Sequence, residues 1–381
     1  MTADNLGWRR VRQDFPATAR LAYLNSAATG LVPRQVAEAA AGFYQEAQDS
    51  GDALWFDWLR RRERVRAAVA RMINAEPEEI GLTFNTSHGM NLIADALEGR
   101  GEVVSCGLEF PTTTLPWMHR GVRVRLVEAR DGAFDADDVT AAATDRTGVI
   151  CLSHVQYSNG FRAPLAEIGA AKGGRKFVVN AAQSAGVFPI DVRRMRIDAL
   201  CAPGHKWMMA GFGCGFVYLS RELLDESRPR SVSWMSVEHP FAMRNDEFAV
   251  RADAAARSEL GCPHFAGIFA LGAAADYHLE LGPGRVERRA LELNRMLTER
   301  LGEAGWKILS PLGDDAARSA ETLVACEERE RVLAHLKECG VAVSPKPEGF
   351  RVATHVFNDE EDISRLVAAL AETRRSVGHH V

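Results

Sequence analysis

Lys206 is the residue of this sequence with the clearest capacity for chemistry. It ends the segment Pro203-Gly-His-Lys206, which follows an apolar run at 197–202 that predicts a strand and precedes glycine-rich residues 211–215. An amine held just past a buried strand is partly desolvated, which lowers its pKa and makes it a nucleophile toward a carbonyl group. Taken alone, however, a lysine after a strand is more often an ordinary surface residue.

Two further polar clusters lie at the ends of predicted elements. The strand at 178–180 ends in Asn180-Ala-Ala-Gln183, and ligands of open parallel sheets bind at such strand ends. The segment Thr86-Ser87-His88 opens a predicted helix, where free N–H groups and hydroxyls suit a phosphate. Each cluster also has a plainer explanation, because Asn180 is a turn-forming residue and Thr86 or Ser87 could simply cap the helix.

An alternation of strands and helices is predicted to position these residues. Apolar runs predict strands at 80–84, 102–106, 122–128, 148–153, 176–180, 197–202 and 215–219. Apolar spacing and helix-start residues predict helices at 33–50, 57–73, 111–120, 135–143, 164–172 and 263–280. Buried runs that alternate with helices are typical of βαβ units, so we expect the α/β class with a mainly parallel sheet.

The strongest boundary signal in the chain is Leu281-Gly-Pro-Gly284. A compact α+β pattern follows it, with strands predicted at 306–309, 322–326, 341–344 and 350–353. We therefore expect a large domain at 26–280 and a smaller C-terminal domain at 281–381, which residues 1–25 join.

Composition excludes several classes of protein. The chain has 46 Lys and Arg against 51 Asp and Glu, and this near-balance argues against non-specific binding of nucleic acid. The seven cysteines show no Cys-x-x-Cys spacing, which argues against a disulfide framework and against a zinc site. No apolar run is long enough to span a membrane, and the first 15 residues do not read as a signal peptide. We expect a cytoplasmic protein.

Six short motifs, spread over much of the chain, occur in one characteristic order. They are Tyr23-Leu-Asn-Ser-Ala-Ala28, Thr86-Ser-His-Gly-Met-Asn91, Glu109-Phe110-Pro111, Ser153-His154-Val155, Asn180-Ala-Ala-Gln-Ser-Ala-Gly186 and Gly204-His205-Lys206. Together they resemble the class V aminotransferase family, which contains fold-type I enzymes dependent on pyridoxal 5'-phosphate (PLP), among them cysteine desulfurases and isopenicillin N epimerase-like proteins. The resemblance implies an aspartate aminotransferase-like fold of PLP-dependent transferases, PLP as cofactor, an amino-acid-like substrate and a homodimer.

The resemblance also assigns roles around the reactive lysine. Lys206 would form a Schiff base with PLP and later carry protons at the α-carbon of the substrate. Ser87, with the neighbouring N–H groups of the helix start, would hold the phosphate of PLP, and His205 would help to hold it. His88 is likewise assigned to the cofactor site.

Further residues are assigned to the ring of the cofactor and to the substrate. Phe110 would stack on the ring, and Gln183 would donate a hydrogen bond to its phenolic oxygen. Asn180 lies at the position that faces the ring nitrogen. Arg351 would bind the substrate carboxylate with its bidentate fork, and Asn25 belongs to an N-terminal segment that approaches the substrate.

The sequence departs from the family pattern at several positions. The family has Asp where this chain has Asn180, and a neutral amide cannot stabilise a protonated ring nitrogen by its charge. Pro203 and Cys262 each replace a residue whose hydroxyl serves the phosphate, and Tyr157 replaces an Asn. Cysteine desulfurases carry a reactive Cys before the carboxylate-binding Arg, whereas residues 343–350 contain none.

These features leave more than one reaction open. An aminotransferase and a lyase that cleaves a C–S bond or eliminates a β-substituent are about equally favoured, with an epimerase as an alternative. A weakly catalytic or non-catalytic binding protein is a further alternative, motivated by Asn180, Pro203 and Cys262. A nicotinamide-dependent oxidoreductase is rejected, because Gly211-Phe-Gly-Cys-Gly215 precedes a predicted strand instead of following one into a helix.

Overall fold

A computed structural model describes residues 3–375 of the chain. The helices are α1 (Ala3–Gln13), α2 (Arg34–Ser50), α3 (Trp55–Ile73), α4 (Thr86–Ala96), α5 (Pro111–His119), α6 (Ala136–Ala142), α7 (Leu165–Ala171), α8 (Arg221–Glu226), α9 (Ala255–Ser258), α10 (Phe265–Leu281), α11 (Pro283–Glu303), α12 (Arg329–Glu338) and α13 (Glu360–Arg375). The strands are β1 (Ala22–Tyr23), β2 (Ile80–Thr83), β3 (Glu102–Cys106), β4 (Val124–Val127), β5 (Thr147–Ser153), β6 (Lys176–Asn180), β7 (Ala199–Pro203), β8 (Gly215–Leu219), β9 (Glu321–Ala325), β10 (Val341–Ala342), β11 (Ser344–Lys346) and β12 (Gly349–Ala353).

Seven strands form the main sheet, in the order β2-β8-β7-β6-β5-β3-β4. Strands β3 to β7 run parallel to one another, and β8 is antiparallel to both of its neighbours. The predicted α/β class with a mainly parallel sheet is therefore confirmed. Because the parallel strands point the same way, their carboxyl ends meet at one edge of the sheet, which is where ligands of such folds bind.

Alternating side chains of the strands bury two separate faces of this sheet. In β6, Phe177 and Val179 pack into the cluster that contains α2, α3 and α10, whereas Val178 packs into the cluster that contains α4 and Trp117 of α5. Since both faces are covered, the central strands are apolar at successive positions, which is why their sequences read as continuous apolar runs.

The C-terminal part of the chain builds a second, three-stranded antiparallel sheet in the order β11-β12-β9. The N-terminal segment packs against this part, since β1 pairs in parallel with β10 and the guanidinium of Arg12 donates to Asp362 at 2.7 Å. These contacts agree with the expected joining of residues 1–25 to the C-terminal part, but the division at residue 281 remains a prediction. Residues 376–381 of the predicted C-terminal domain lie outside the described residues.

One predicted strand is wrong. Residues 306–309 form no strand, and only Ile308 makes an isolated antiparallel bridge to Val324 of β9. The apolar run there is only half-buried, because it packs against the edge of the small sheet without a second partner. Among the helices at residues 3–375, none combines the length and the apolar character that crossing a membrane requires.

A buried ion pair joins α3 to the segment that follows α9. The guanidinium of Arg66 donates to both carboxylate oxygens of Glu259, at 2.6 and 3.0 Å, and both side chains are almost fully buried. Arg62 lies 3.3 Å from the same carboxylate, and the N–H of Leu82 at the start of the main sheet also donates to it. Glu259 is thus the buried anion of a cluster in which the half-exposed Glu63 also pairs with both arginines.

We expect Glu259→Ala to lower the free energy of unfolding by about 3 kcal/mol, because it leaves two buried guanidinium groups with only the half-exposed Glu63 as counter-ion. Urea unfolding followed by far-UV circular dichroism measures this change. Asp276→Ala is the matched control: it removes a carboxylate whose pair with Arg71 is exposed, and it should change the free energy of unfolding by at most about 1 kcal/mol. Equal effects of the two substitutions would contradict the assignment.

Candidate active site

The carboxyl ends of the parallel strands bring several predicted site residues to one edge of the main sheet. β6 ends at Asn180, which is 2% exposed, and β7 ends at Pro203, three residues before Lys206. Gln183 follows β6 in a short turn, and its side-chain oxygen accepts a hydrogen bond from the indole N–H of Trp207 at 2.8 Å. This hydrogen bond links the turn after β6 to the turn after β7, which carries the reactive lysine.

Close backbone packing fixes the turn that carries Lys206. The N–H of Gly30 donates to the carbonyl of His205 at 2.8 Å, and a Cβ at Gly30 would lie 2.0 Å from the carbonyl oxygen of Lys206. The N–H of Met209 donates to the carbonyl of Lys206 and so closes the turn. Met209 itself adopts the left-handed conformation, with φ at +59°. Residues other than glycine adopt this conformation at a cost, so the surrounding structure determines the turn.

The amine of Lys206 is poised to lose its proton. Burial is the main cause that lowers its pKa, to about 8, and the nearby positive charge of Arg351 lowers it further, while Glu321 acts in the opposite direction. A substantial fraction of the amine is therefore neutral at slightly alkaline pH, and a neutral amine is the form that attacks a carbonyl.

The amino end of α4 offers an anion-binding surface. The helix is capped by Asn85, whose side-chain oxygen accepts the N–H of His88 at 2.9 Å, so neither Thr86 nor Ser87 is the cap. The hydroxyl of Ser87 therefore does not cap the helix, and it lies 2.9 Å from the hydroxyl of Thr112 at the start of α5. The first turn of a helix presents unpaired N–H groups, and together with these hydroxyls they suit a phosphate.

Each of the two histidines predicted for the cofactor site is stacked on a phenylalanine. His88 stacks on Phe84 with ring centroids 5.4 Å apart, and His205 stacks on Phe212 with centroids 4.7 Å apart. Burial lowers the pKa of both imidazoles, and for His205, where Lys206 adds to the effect, the pKa falls to about 4. Both rings are therefore neutral at physiological pH and would serve a phosphate as hydrogen-bond partners, not as cations.

Arg351 lies in a buried cluster of charges at the start of the small sheet. Its guanidinium donates to Glu321 at 3.1 Å and to the backbone carbonyl of Tyr157 at 3.0 Å. The amine of Lys346 donates to that same carbonyl at 2.8 Å and lies over the ring of Tyr157. Burial and the neighbouring Arg351 lower the pKa of Lys346 to about 8, and the buried carboxylate of Glu321 serves three basic side chains, namely Lys206, Lys346 and Arg351.

Two further predicted residues border this cluster. Phe110 is 47% exposed and meets the ring of Tyr157 edge-on, with centroids 5.1 Å apart. Asn25 pairs through its backbone with Ala353, two residues after Arg351, and its side-chain oxygen accepts a hydrogen bond from Ser344. The N-terminal segment thus reaches the arginine that the resemblance assigns to the substrate.

Sequence reasoning missed four residues of this site. Glu321 and Lys346 gave no signal, because only the small sheet brings them next to Arg351. Glu109 belongs to a recognised motif but was given no role, although its carboxylate accepts a hydrogen bond from Gln156 at 2.8 Å. Thr113 accepts the side-chain amide of Asn180 at 2.9 Å, and its place one helical turn into α5 could have drawn attention to it.

The fold and the site share three features that define a class of protein. A lysine with a lowered pKa lies at the carboxyl edge of a mainly parallel sheet, and the same molecule offers a helix start suited to phosphate and a buried arginine. A family model, Aminotransferase class-V, matches residues 22–373, and the chain belongs to this family. The family is PLP-dependent, and its match over nearly the whole chain confirms the resemblance drawn from the motifs.

Relatives with several named activities are similar to this chain. An uncharacterized aminotransferase of Bacillus subtilis (strain 168), YcbU, is 25% identical over 366 residues, which cover 94% of this chain and 96% of the relative. A probable cysteine desulfurase of Methanothermobacter thermautotrophicus is 30% identical over 299 residues, covering 75% of this chain and 74% of the relative. An isopenicillin N epimerase of Streptomyces clavuligerus is 28% identical over 396 residues, covering 95% and 97%.

Solved structures share the fold over almost the whole chain. The apo structure of a cysteine desulfurase from Thermococcus onnurineus NA1 matches with a TM-score of 0.88 and 26% identity, covering 96% of this chain and 98% of that one. A mutant of C-DES with glycine covalently linked to its PLP cofactor matches with a TM-score of 0.86 and 23% identity, covering 95% and 99%.

We expect Lys206→Met to stabilise the apoprotein at pH 7, by about 2–3 kcal/mol, because it removes a buried charge. The folded state binds fewer protons than the unfolded state between the lowered pKa near 8 and the ordinary value of 10.5, so the wild type gains stability as the pH rises through that window. The advantage of the variant should therefore shrink from pH 7 to pH 10 in urea unfolding. A constant advantage would show that the amine is not desolvated.

Proposed function

We propose that Lys206 is the residue that binds PLP covalently and that the enzyme acts at the α-carbon of an amino acid or a closely similar amine. The observation that carries this proposal is the pKa of Lys206, lowered to about 8 by burial at the sheet edge, with Arg351 close enough to contribute. A neutral amine attacks the aldehyde of PLP, and an arginine beside it is placed to hold the carboxylate of the same substrate.

The residues around Lys206 fit the cofactor. Ser87 and the amino end of α4 would hold its phosphate, and we propose that His205 and His88 assist them. The ring of Phe110 would stack on the cofactor, because it stands exposed after β3. When bound, PLP supplies an electrophilic carbon and a ring that withdraws electrons from the α-carbon.

Two amide side chains would face the ring of PLP. Gln183 already uses one amide hydrogen for the carbonyl of Ala27 at 3.0 Å, which leaves its second hydrogen for the phenolic oxygen. Asn180 would face the ring nitrogen at the end of β6.

Proton transfer and substrate binding fall to separate groups. Lys206, freed once the substrate amine takes its place, would take and return a proton at the α-carbon, for which a pKa near 8 is well suited. Arg351 would bind the carboxylate, although Glu321 already neutralises part of its charge. Asn25 lies against the strand of Arg351 and would border the substrate.

Between the open reactions, Asn180 favours a lyase. A neutral amide leaves the ring without the charge that sustains a long-lived carbanion, which disfavours transamination. Elimination tolerates this better, because a leaving group removes the electron pair. Relatives named aminotransferase and epimerase keep those two reactions as alternatives. A weakly catalytic binding protein is the further candidate, since Pro203 and Cys262 supply no hydroxyl to the phosphate.

We further propose that the enzyme does not form a persulfide on a loop cysteine, although several relatives are named cysteine desulfurases. The turn between β11 and β12 consists of Pro347 and Glu348 alone, so it offers no reactive cysteine. Cys326 lies nearby, because its N–H donates to the carbonyl of Glu348, but burial raises the pKa of its thiol, which makes it less reactive.

The chain is proposed to act as a cytoplasmic homodimer. Large apolar side chains remain exposed next to the site, among them Phe84 at 55% and Phe212 at 68%, and a second copy of the chain would cover them. All seven cysteines are unpaired, which agrees with a reducing compartment.

Incubation with PLP should give visible absorbance, and reduction with borohydride should place the adduct on the peptide that contains Lys206. Lys206→Ala should abolish the adduct. Lys346→Ala is the matched control, because the pKa of Lys346 is also lowered to about 8 and its amine lies in the same charge cluster. Peptide mass mapping measures the site, and an adduct that persists in Lys206→Ala would overturn the proposal.

The reaction itself should be visible in the products. With L-cystine or L-cysteine, the loaded enzyme should release pyruvate, ammonia and the sulfur leaving group (cysteine persulfide from cystine, hydrogen sulfide from cysteine) over many turnovers, with little pyridoxamine phosphate. Chromatography of the cofactor and a coupled pyruvate assay measure both. Stoichiometric pyridoxamine phosphate without pyruvate would instead identify an aminotransferase.

A further inference from the structure

A chain of hydrogen bonds runs through Asn180 and fixes which way its amide points. The backbone N–H of Ala182 donates to Oδ1 of Asn180 at 3.0 Å. Because a backbone N–H can only donate, this bond identifies the oxygen of the amide. Nδ2 of Asn180 therefore points the other way and donates to Oγ1 of Thr113 at 2.9 Å.

The chain continues from Thr113 to a carboxylate. Thr113 is fully buried, and its hydroxyl, whose oxygen accepts from Asn180, lies close enough to Glu109 to favour the charged form of that carboxyl group. Glu109 also accepts the N–H of Ser153 at 2.5 Å, the hydroxyl of Ser153, and the side-chain amide of Gln156 at 2.8 Å.

All four groups around Glu109 donate hydrogen bonds, and they favour its charged form. Burial acts in the opposite direction and raises the pKa of the carboxyl group. The family's negative charge is thus absent at position 180, but a carboxyl group lies one hydroxyl away from the amide.

We propose that Thr113 and Glu109 are positioning residues that hold the amide of Asn180 in one orientation, and that this network requires an amide at position 180. This inference rests on the proposed PLP site. With an Asp at position 180, two carboxylates would compete for the single hydroxyl hydrogen of Thr113. One carboxylate would lose a donor, and the two like charges would repel each other in a buried setting.

The fixed orientation has a consequence for the cofactor. Nδ2 of Asn180 carries two hydrogens, and Thr113 takes only one of them. The second hydrogen is available to the ring nitrogen of PLP, and a nitrogen that accepts it is unprotonated. Asn180 would therefore donate a hydrogen bond to an unprotonated ring nitrogen when PLP is bound, which is consistent with a reaction that relies on a leaving group.

A double-mutant cycle on the apoprotein tests the network without the cofactor. Asn180→Asp alone should raise the equilibrium constant of unfolding by at least about tenfold, and by clearly less in the Glu109→Gln background, because no second carboxylate is then present. Urea unfolding of the four proteins gives the coupling. Additive effects, or no effect of Asn180→Asp, would overturn the proposal.

The absorbance of the bound cofactor gives a second test of the network. This test does not use Glu109→Gln, so it remains possible if that variant fails to fold. The pH midpoint of the visible absorbance of bound PLP should move by about half a unit or more in Thr113→Val, which lacks the hydroxyl, and stay near the wild-type value in Thr113→Ser, which keeps it. Equal midpoints in the wild type and Thr113→Val would overturn the positioning role. Absence of visible absorbance in the wild type would instead count against PLP binding. The unfolding cycle would then still show whether Asn180 and Glu109 are coupled.

Discussion

The burial of one amine is the constraint on which the rest of this site depends. Lys206 keeps a pKa near 8 only because the turn after β7 is locked and the surrounding groups exclude water. Gly30 provides the close backbone contact, and Gln183 fastens Trp207 from the next strand. A lysine on a looser turn would find water and recover its ordinary pKa, and with it the positive charge that prevents attack on a carbonyl.

The sequence predicts the main sheet well, because strands buried on both faces leave continuous apolar runs such as that of β6. It fails at 306–309, where an apolar run packs on an edge without pairing into a strand. In the site, most residues within motifs were found from sequence, but Glu109 was given no role, and Glu321 and Lys346 were not found. The contact of Glu321 with Arg351 and that of Lys346 with Tyr157 join segments that lie far apart in the chain, and no local pattern records those contacts.

Charge is balanced inside this site by the chain's own residues. Glu321 partly neutralises Arg351, and Glu109 holds its carboxyl group near Asn180 without touching the place where the family has its Asp. Considered alone, Asn180 in place of the family's Asp is the loss of a negative charge. Considered with its hydrogen-bond partners, Asn180 is one of several residues that are compatible with one another. The same reasoning applies to Lys346: burial and the charge of Arg351 lower its pKa, and Glu321, which also pairs with Arg351, offsets only part of this effect.

The charged neighbours of Lys206 belong to a different sheet from the lysine itself. Arg351 and Glu321 lie on β12 and β9, whereas Lys206 follows β7 of the main sheet. Electrostatic influence falls with distance, so the acidity of the amine depends on how closely the two sheets approach. Because Arg351 lowers and Glu321 raises the pKa of Lys206, a change in the separation of the two sheets would alter the reactivity of the nucleophile without any change in its own contacts.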